Sequence, residues 1–264
     1  FRGPTGTGKT TMALHVASKI GRPVVLFHGD AELKTSDLVG GEQGFRYRYL
    51  KDNFISSVLK VEQDMQKRWM DNRLTIACKY GFTLIYDEFT RSKPEANNIL
   101  LSILQEKIMD LPIKRDGEER HYLKVHPDFC AIFTSNPEEY AGTHKAQDAL
   151  RDRMVTIDLE YFDRKTEVAI TQAKSGLPKE EAEKIVDIVR GMRTSNPCEF
   201  PPTVRSCIII GKVLGASQGK VSASDPQFRQ LAQDVLVSQT TRSPWSPRRK
   251  EIENLVKGLI NKYC

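Results

Sequence analysis

Apolar residues follow two rhythms along this chain. Met12, Ala13, Val16, Ala17 and Ile20 recur at helical spacing, predicting a helix over Thr10–Ile20 that Gly21 and Pro23 stop. Val24–Phe27 then runs apolar without a break, the form of a strand buried on both faces of a parallel sheet. Thr83–Glu88 and Cys130–Ser135 read the same way, and Val155–Leu159 alternates as an edge strand would. Ile108–Leu111 and Tyr122–Val125 flank the polar turn Lys114–Arg120 and predict a β-hairpin. Phe54, Val58, Val61, Met65 and Trp69 fall three or four apart, predicting a long amphipathic helix over Leu50–Trp69 that packs on the core.

From Tyr161 the strands stop. Asp163–Gly176 reads as a capped helix, Pro178–Met192 as one with Ala182, Ile185, Val186 and Val189 on one face, Thr203–Leu214 as a third entered through Pro201-Pro202, and Asp225-Pro226 caps a fourth reaching about Gln239. After the linker-like Ser243–Pro247, the segment Arg248–Lys262 carries one stripe of Ile252, Leu255, Val256, Leu259 and Ile260, suited to docking on the helical domain or on a partner. The expected organisation is an α/β core over 1–160, a small all-α domain over 161–240, and a linker with a tail helix over 241–264.

Composition narrows the classes. A chain of 264 residues suits one large domain with a smaller satellite, and 28% charged against 39% hydrophobic residues describes a water-soluble fold. No apolar run approaches the ~18–20 residues of a membrane span. Five scattered cysteines without C-x-x-C spacing argue against a disulfide framework or a zinc site, and point to a reducing cytoplasm. The net charge of +6 is spread among 34 acidic residues, so it argues only weakly for a polyanionic partner.

The chemistry sits at the ends of the apolar runs. Gly3-Pro4-Thr5-Gly6-Thr7-Gly8-Lys9-Thr10 matches G-x-x-x-x-G-K-[ST], a phosphate-binding loop. Its glycines let backbone N–H groups face phosphate oxygens, Lys9 reaches the β- and γ-phosphates, and Thr10 offers a hydroxyl to Mg²⁺ at a helix N-terminus. Such a loop normally follows a strand, and only Phe1 and Arg2 precede Gly3, so that first strand is expected to be missing here. The strand ending Asp87-Glu88 resembles a Walker B box, with Asp87 toward the Mg²⁺ shell and Glu88 as general base toward an attacking water. Asn136, at the tip of the next strand, suits orienting that water because it both donates and accepts hydrogen bonds. Arg151 and Arg153 end a helix, and Arg205 opposes the dipole in the first turn of another.

This order of motifs resembles the AAA+ ATPases, in particular their MoxR branch, from Gly3 to about Gln239. The segments Thr35–Gly41, Asp71–Thr75 and above all Gly81–Asn98, with its F-x-R-S-x-P-E-A-N-N run after the carboxylates, are similar to the gas vesicle protein N family. The resemblance implies an AAA+ P-loop core, a parallel sheet between helices, followed by an all-α lid. It implies that Gly3–Thr11, including Thr11, hold ATP, that Thr10 and Asp87 hold Mg²⁺, and that Asn136 and Arg205 act as the two sensors. Arg153, or Arg151, would be the arginine finger given in trans within a hexameric ring, with Arg153 favoured for directly preceding the hydrophobic residues that open the last strand. It also implies ATP hydrolysis in gas vesicle assembly, other gas vesicle proteins as partners, and a cytoplasmic, vesicle-associated location. Two other functions compete: a vesicle component that uses ATP occupancy only as a structural switch, and a nucleic-acid motor. The second rests on +6 and the short Arg46–Tyr49 segment, so no specific nucleic acid is expected.

Overall fold

Three apolar runs build the sheet that positions the site. The computed structural model describes residues 1–43, 68–111, 122–136, 148–195, 198, 200–241 and 247–264. Within it, β1 (Val24–His28), β4 (Thr83–Asp87) and β7 (Cys130–Phe133) pair in parallel in the order β1-β4-β7. Every residue of β4 is buried, as expected of a central strand covered on both faces. α1 (Lys9–Ile20) follows the loop and buries Ala13 and Ala17 with Ile85.

The expectation of an absent first strand is refined by the structure. Phe1–Gly3 lies beside β7: Phe1 N donates to Phe133 O, Ser135 N to Phe1 O and Gly3 N to Ser135 O. On its other side Arg2 N donates to Ile157 O, and the Arg2 guanidinium pairs with both carboxylate oxygens of Asp158. That ion pair holds the Asp158 carboxyl below its usual range. Val155–Leu159, expected as a strand, makes a single bridge among the described residues, Asp158 with Arg2.

The rest of this unit packs around the sheet. α2 (Thr35–Val39) leads into β2 (Gly40–Gln43), which pairs antiparallel with β3 (Arg68–Asp71). Trp69, expected to close a helix, thus lies on a strand; the remainder of that predicted helix, at 50–67, and Arg46–Tyr49 fall outside the described residues. α3 (Arg73–Tyr80) is capped by Asn72 and ended by left-handed Gly81. α4 (Pro94–Asn97) and α5 (Ile99–Gln105) follow β4, and β5 (Ile108–Asp110) with β6 (Tyr122–Lys124) forms the expected hairpin, its turn at 114–120 being outside the described residues. α6 (Asp148–Arg151) closes this part.

The chain divides into two compact units, Phe1–Gly3 with Lys9–Asp158, and Pro4–Gly8 with Leu159–Cys264. The second is helical: α7 (Arg164–Ser175), α8 (Lys179–Arg193), α9 (Val204–Ser217), α10 (Pro226–Thr240) and α11 (Arg249–Tyr263). Asp163, Thr203 and Asp225 cap α7, α9 and α10 by accepting backbone N–H groups, and the two aspartates made their helix starts readable. α9 continues to Ser217, past the predicted Leu214. The tail stripe packs inward, since Ile252, Val256 and Ile260 join Ile185, Val189, Phe228 and Leu236 in one core.

Accordingly, Ile252→Ala should destabilise the protein by about 2–5 kcal/mol, whereas Lys257→Ala, on the exposed face, should stay within about 0.5 kcal/mol. Urea unfolding of the two variants measures the difference.

Candidate active site

The carboxyl ends of parallel strands are where an α/β sheet offers a ligand site, and β1 and β4 end in register at His28 and Asp87. Asp87 is buried, so its charge needs partners. Its Oδ1 accepts the Thr10 hydroxyl at 2.7 Å and the Thr134 hydroxyl at 2.5 Å, and its Oδ2 lies 3.6 Å from His28 Nδ1. A hydroxyl and a carboxylate oxygen 2.7 Å apart suit neighbouring ligands of Mg²⁺, whose octahedron of ~2.1 Å bonds spaces adjacent oxygens by about 3 Å. Thr10 and Asp87 therefore fit the ion.

Glu88 has φ +53°, left-handed for a residue with a Cβ, a conformation costing roughly 1–2 kcal/mol. Its surroundings impose that turn. Glu88 N donates to Thr134 Oγ1 at 2.9 Å, and Arg91 N donates to Glu88 O at 2.9 Å. A Cβ on Gly29 would stand 2.0 Å from Glu88 O, so only glycine lets the chain after β1 pass this turn. The Glu88 carboxylate is half-exposed, and its Oε2 accepts from Arg91 Nη1 at 2.8 Å.

Thr134 is the residue that sequence reasoning missed. Its hydroxyl accepts a hydrogen bond from the Glu88 amide and donates one to Asp87, so one side chain fixes both neighbours. The register explains this: Phe133 pairs with Tyr86, which brings the next residue alongside Asp87. The segment after the carboxylates folds back beneath β4. Ser92 Oγ accepts Asp30 N at 3.1 Å and lies 2.8 Å from Tyr86 Oη, which is 3.1 Å from Asn97 Oδ1. Phe89 meets Phe133 edge-on at 5.3 Å between ring centroids. Burial pushes the Tyr86 phenol up, keeping it neutral.

The other expected residues are placed as follows. Lys9 is buried and its Nζ donates to Gly3 O at 2.8 Å, while Thr7 Oγ1 donates to Pro4 O. Thr5 is half-buried and Thr11 exposed. Asn136 is buried directly after Ser135, whose carbonyl accepts Gly3 N, so it stands where the loop begins. Arg151 and Arg153 are exposed, Arg153 Nε donating to Gln105 Oε1 at 2.8 Å. Arg205 is exposed in the first turn of α9, in the second unit. Thr10, Asp87, Thr134 and Glu88 are thus joined directly.

A model of the AAA domain, dynein-related subfamily, matches residues 1–154, and with the loop and paired carboxylates this makes the protein an AAA+ ATPase. Gas vesicle ATPase GvpN of Ancylobacter aquaticus is 47% identical over 100% of this chain and 74% of its own length. The protein of the same name from Haloferax mediterranei is 41% identical over 97% of this chain and 73% of its own. NorQ of Paracoccus denitrificans, a MoxR-like relative, is 27% identical over 73% of this chain and 64% of its own. The chain belongs to the gas vesicle ATPase GvpN family.

Replacing Thr134 by Val should lower ATP turnover by about ten- to hundredfold, the usual effect of removing a residue that orients a metal ligand, while Thr134→Ser should retain it. Steady-state phosphate release on the two variants checks this.

Proposed function

We propose that the protein is a ring-forming ATPase that remodels other gas vesicle proteins during vesicle assembly. The carrying observation is the group at the strand ends, where Thr10 and Thr134 both bond Asp87 and Thr134 also holds Glu88. Gly3, Pro4, Thr5, Gly6, Thr7, Gly8, Lys9, Thr10 and Thr11 hold the triphosphate of ATP through backbone N–H groups, the Lys9 ammonium and hydroxyls. Thr10 and Asp87 hold Mg²⁺, which when bound neutralises charge on the phosphates. Glu88 takes a proton from the attacking water, with Oε1 the accepting oxygen while Arg91 engages Oε2. Asn136 orients that water.

Arg153, or alternatively Arg151, reaches the neighbouring subunit's γ-phosphate, and Arg205 adds positive charge from the lid. Their exposure supports a role toward a ligand or a second subunit. In this reading, residues 1–160 form the ATP-binding core, 161–240 the lid and 241–264 its tail, and the ring is hexameric. Among the described residues no helix is long and apolar enough to cross a membrane, and the protein works in the cytoplasm on the vesicle surface.

Glu88→Gln should bind ATP but turn it over at least about a hundredfold more slowly, and cells carrying it should make no gas vesicles. Lys9→Ala should lose ATP binding, and Arg153→Ala should lose turnover while binding ATP. Wild-type turnover and vesicle yield in Glu88→Gln cells would contradict the proposal.

A further inference from the structure

We propose that an ionic cluster in the helical unit, the buried Glu167 with the half-buried Arg190 and Arg193, positions the phosphate loop and sets how tightly the protein holds the triphosphate. This rests on the reading of Gly3–Thr11 as the ATP-binding loop. Glu167 lies on α7 and is 1% exposed. Its Oε2 accepts from Arg190 Nη1 at 3.0 Å, and its Oε1 forms an ion pair with Arg193 Nη2 at 2.8 Å. A buried ion pair is poor at stabilising a fold, since apolar residues of equal volume often do as well. What the two arginines do with their other donors gives the cluster a second task.

Arg190 Nη1 also donates to Phe162 O at 3.1 Å. Arg193 Nε donates to Pro202 O at 2.9 Å, and its guanidinium stacks 4.3 Å from the centre of the Tyr161 ring. The cluster therefore grips two non-helical segments, Tyr161–Phe162 and Pro202–Thr203. These same segments, in the same compact unit, meet the loop Pro4–Gly8. A Cβ on Gly6 would lie 2.5 Å from Thr203 Cβ and 2.6 Å from Thr203 Oγ1, and one on Gly8 would lie 3.3 Å from Phe162 Cζ. Gly6 and Gly8 carry φ of +79° and +76°. Thr203 and Phe162 thus bound the loop at its two left-handed residues, where it has most freedom to lose. A loop held ready in its binding shape spares the ligand the cost of ordering it. The cluster acts on affinity through those segments and has no part in the chemical step.

The test uses the full-length protein and fluorescent ATP labelled on its ribose. Arg193→Lys keeps a cation beside Glu167 but loses the Nε bond to Pro202 and the stacking on Tyr161. Its Kd for the labelled ATP and its KM should rise about tenfold or more, the effect of losing a charged hydrogen bond, with kcat falling less than threefold. Arg164→Lys is the control, because Arg164 also joins α7 to α8, through both oxygens of Asp187, without touching either segment. It should leave Kd unchanged. Wild-type affinity in folded Arg193→Lys overturns the proposal even if the melting temperature falls. Should that variant not fold, Phe162→Leu serves instead, and unchanged affinity there overturns it equally. Lys9→Ala separates the two readings: if it abolishes binding while Arg193→Lys binds normally, only the cluster's role fails, and if it binds normally, the ATP-loop reading beneath it fails as well.

Discussion

The acceptance of two threonine hydroxyls by one buried carboxylate, Asp87, is the interaction on which the rest of this protein depends. A charge at that depth is costly without partners, and the fold supplies two donors: Thr10 from the first turn of α1 and Thr134 from the end of β7, with His28 Nδ1 3.6 Å away at the end of β1. Each donor arrives because a parallel ladder or a helix start fixes its register. β4 pairs on both edges and is buried throughout, so Asp87 cannot shift without breaking hydrogen bonds on either side. That rigidity is what preorganised electrostatic catalysis requires.

The carboxylate beside it is held by different means. Glu88 sits in a left-handed turn that its own side chain disfavours, kept there by Thr134, by Arg91 and by the close passage of Gly29. The cost of that turn is carried by the aromatic and hydroxyl packing of Tyr86, Phe89, Ser92, Asn97 and Phe133 below it. The run after the carboxylates, which most narrows the family resemblance, is thus the floor of the site. The helical unit has its own core, to which α7 to α11 contribute, and the loop Pro4–Gly8 belongs to that unit, while Lys9 and Thr10 belong to the other.

Much of this was legible in the sequence because the signals are local. The phosphate loop and the two carboxylates are contiguous strings, Asp163 and Asp225 are caps that name their own helices, and Pro201-Pro202 marks the start of α9. What was not legible depends on pairing across distance. Thr134 has no mark of function in a mostly apolar run until register puts it beside Asp87. Val155–Leu159 alternates like a strand, yet among the described residues it pairs through one bridge, Asp158 with Arg2, more than 150 residues away in sequence. Trp69 fits a helical spacing of apolar residues and lies instead on β3, whose partner β2 gives no periodic signal over four residues. Glu167 reads as an ordinary helix-surface charge until α8 brings Arg190 and Arg193 against it.

The most direct measurement of the central claim is the Mg²⁺ dependence of ATP turnover in the full-length protein and in Asp87→Asn. If Asp87 and Thr10 hold the ion, turnover requires Mg²⁺, and Asp87→Asn needs at least about tenfold more of it to reach half of its own maximal rate, the loss expected when a carboxylate ligand is neutralised. A Mg²⁺ requirement identical in the two proteins would contradict the account.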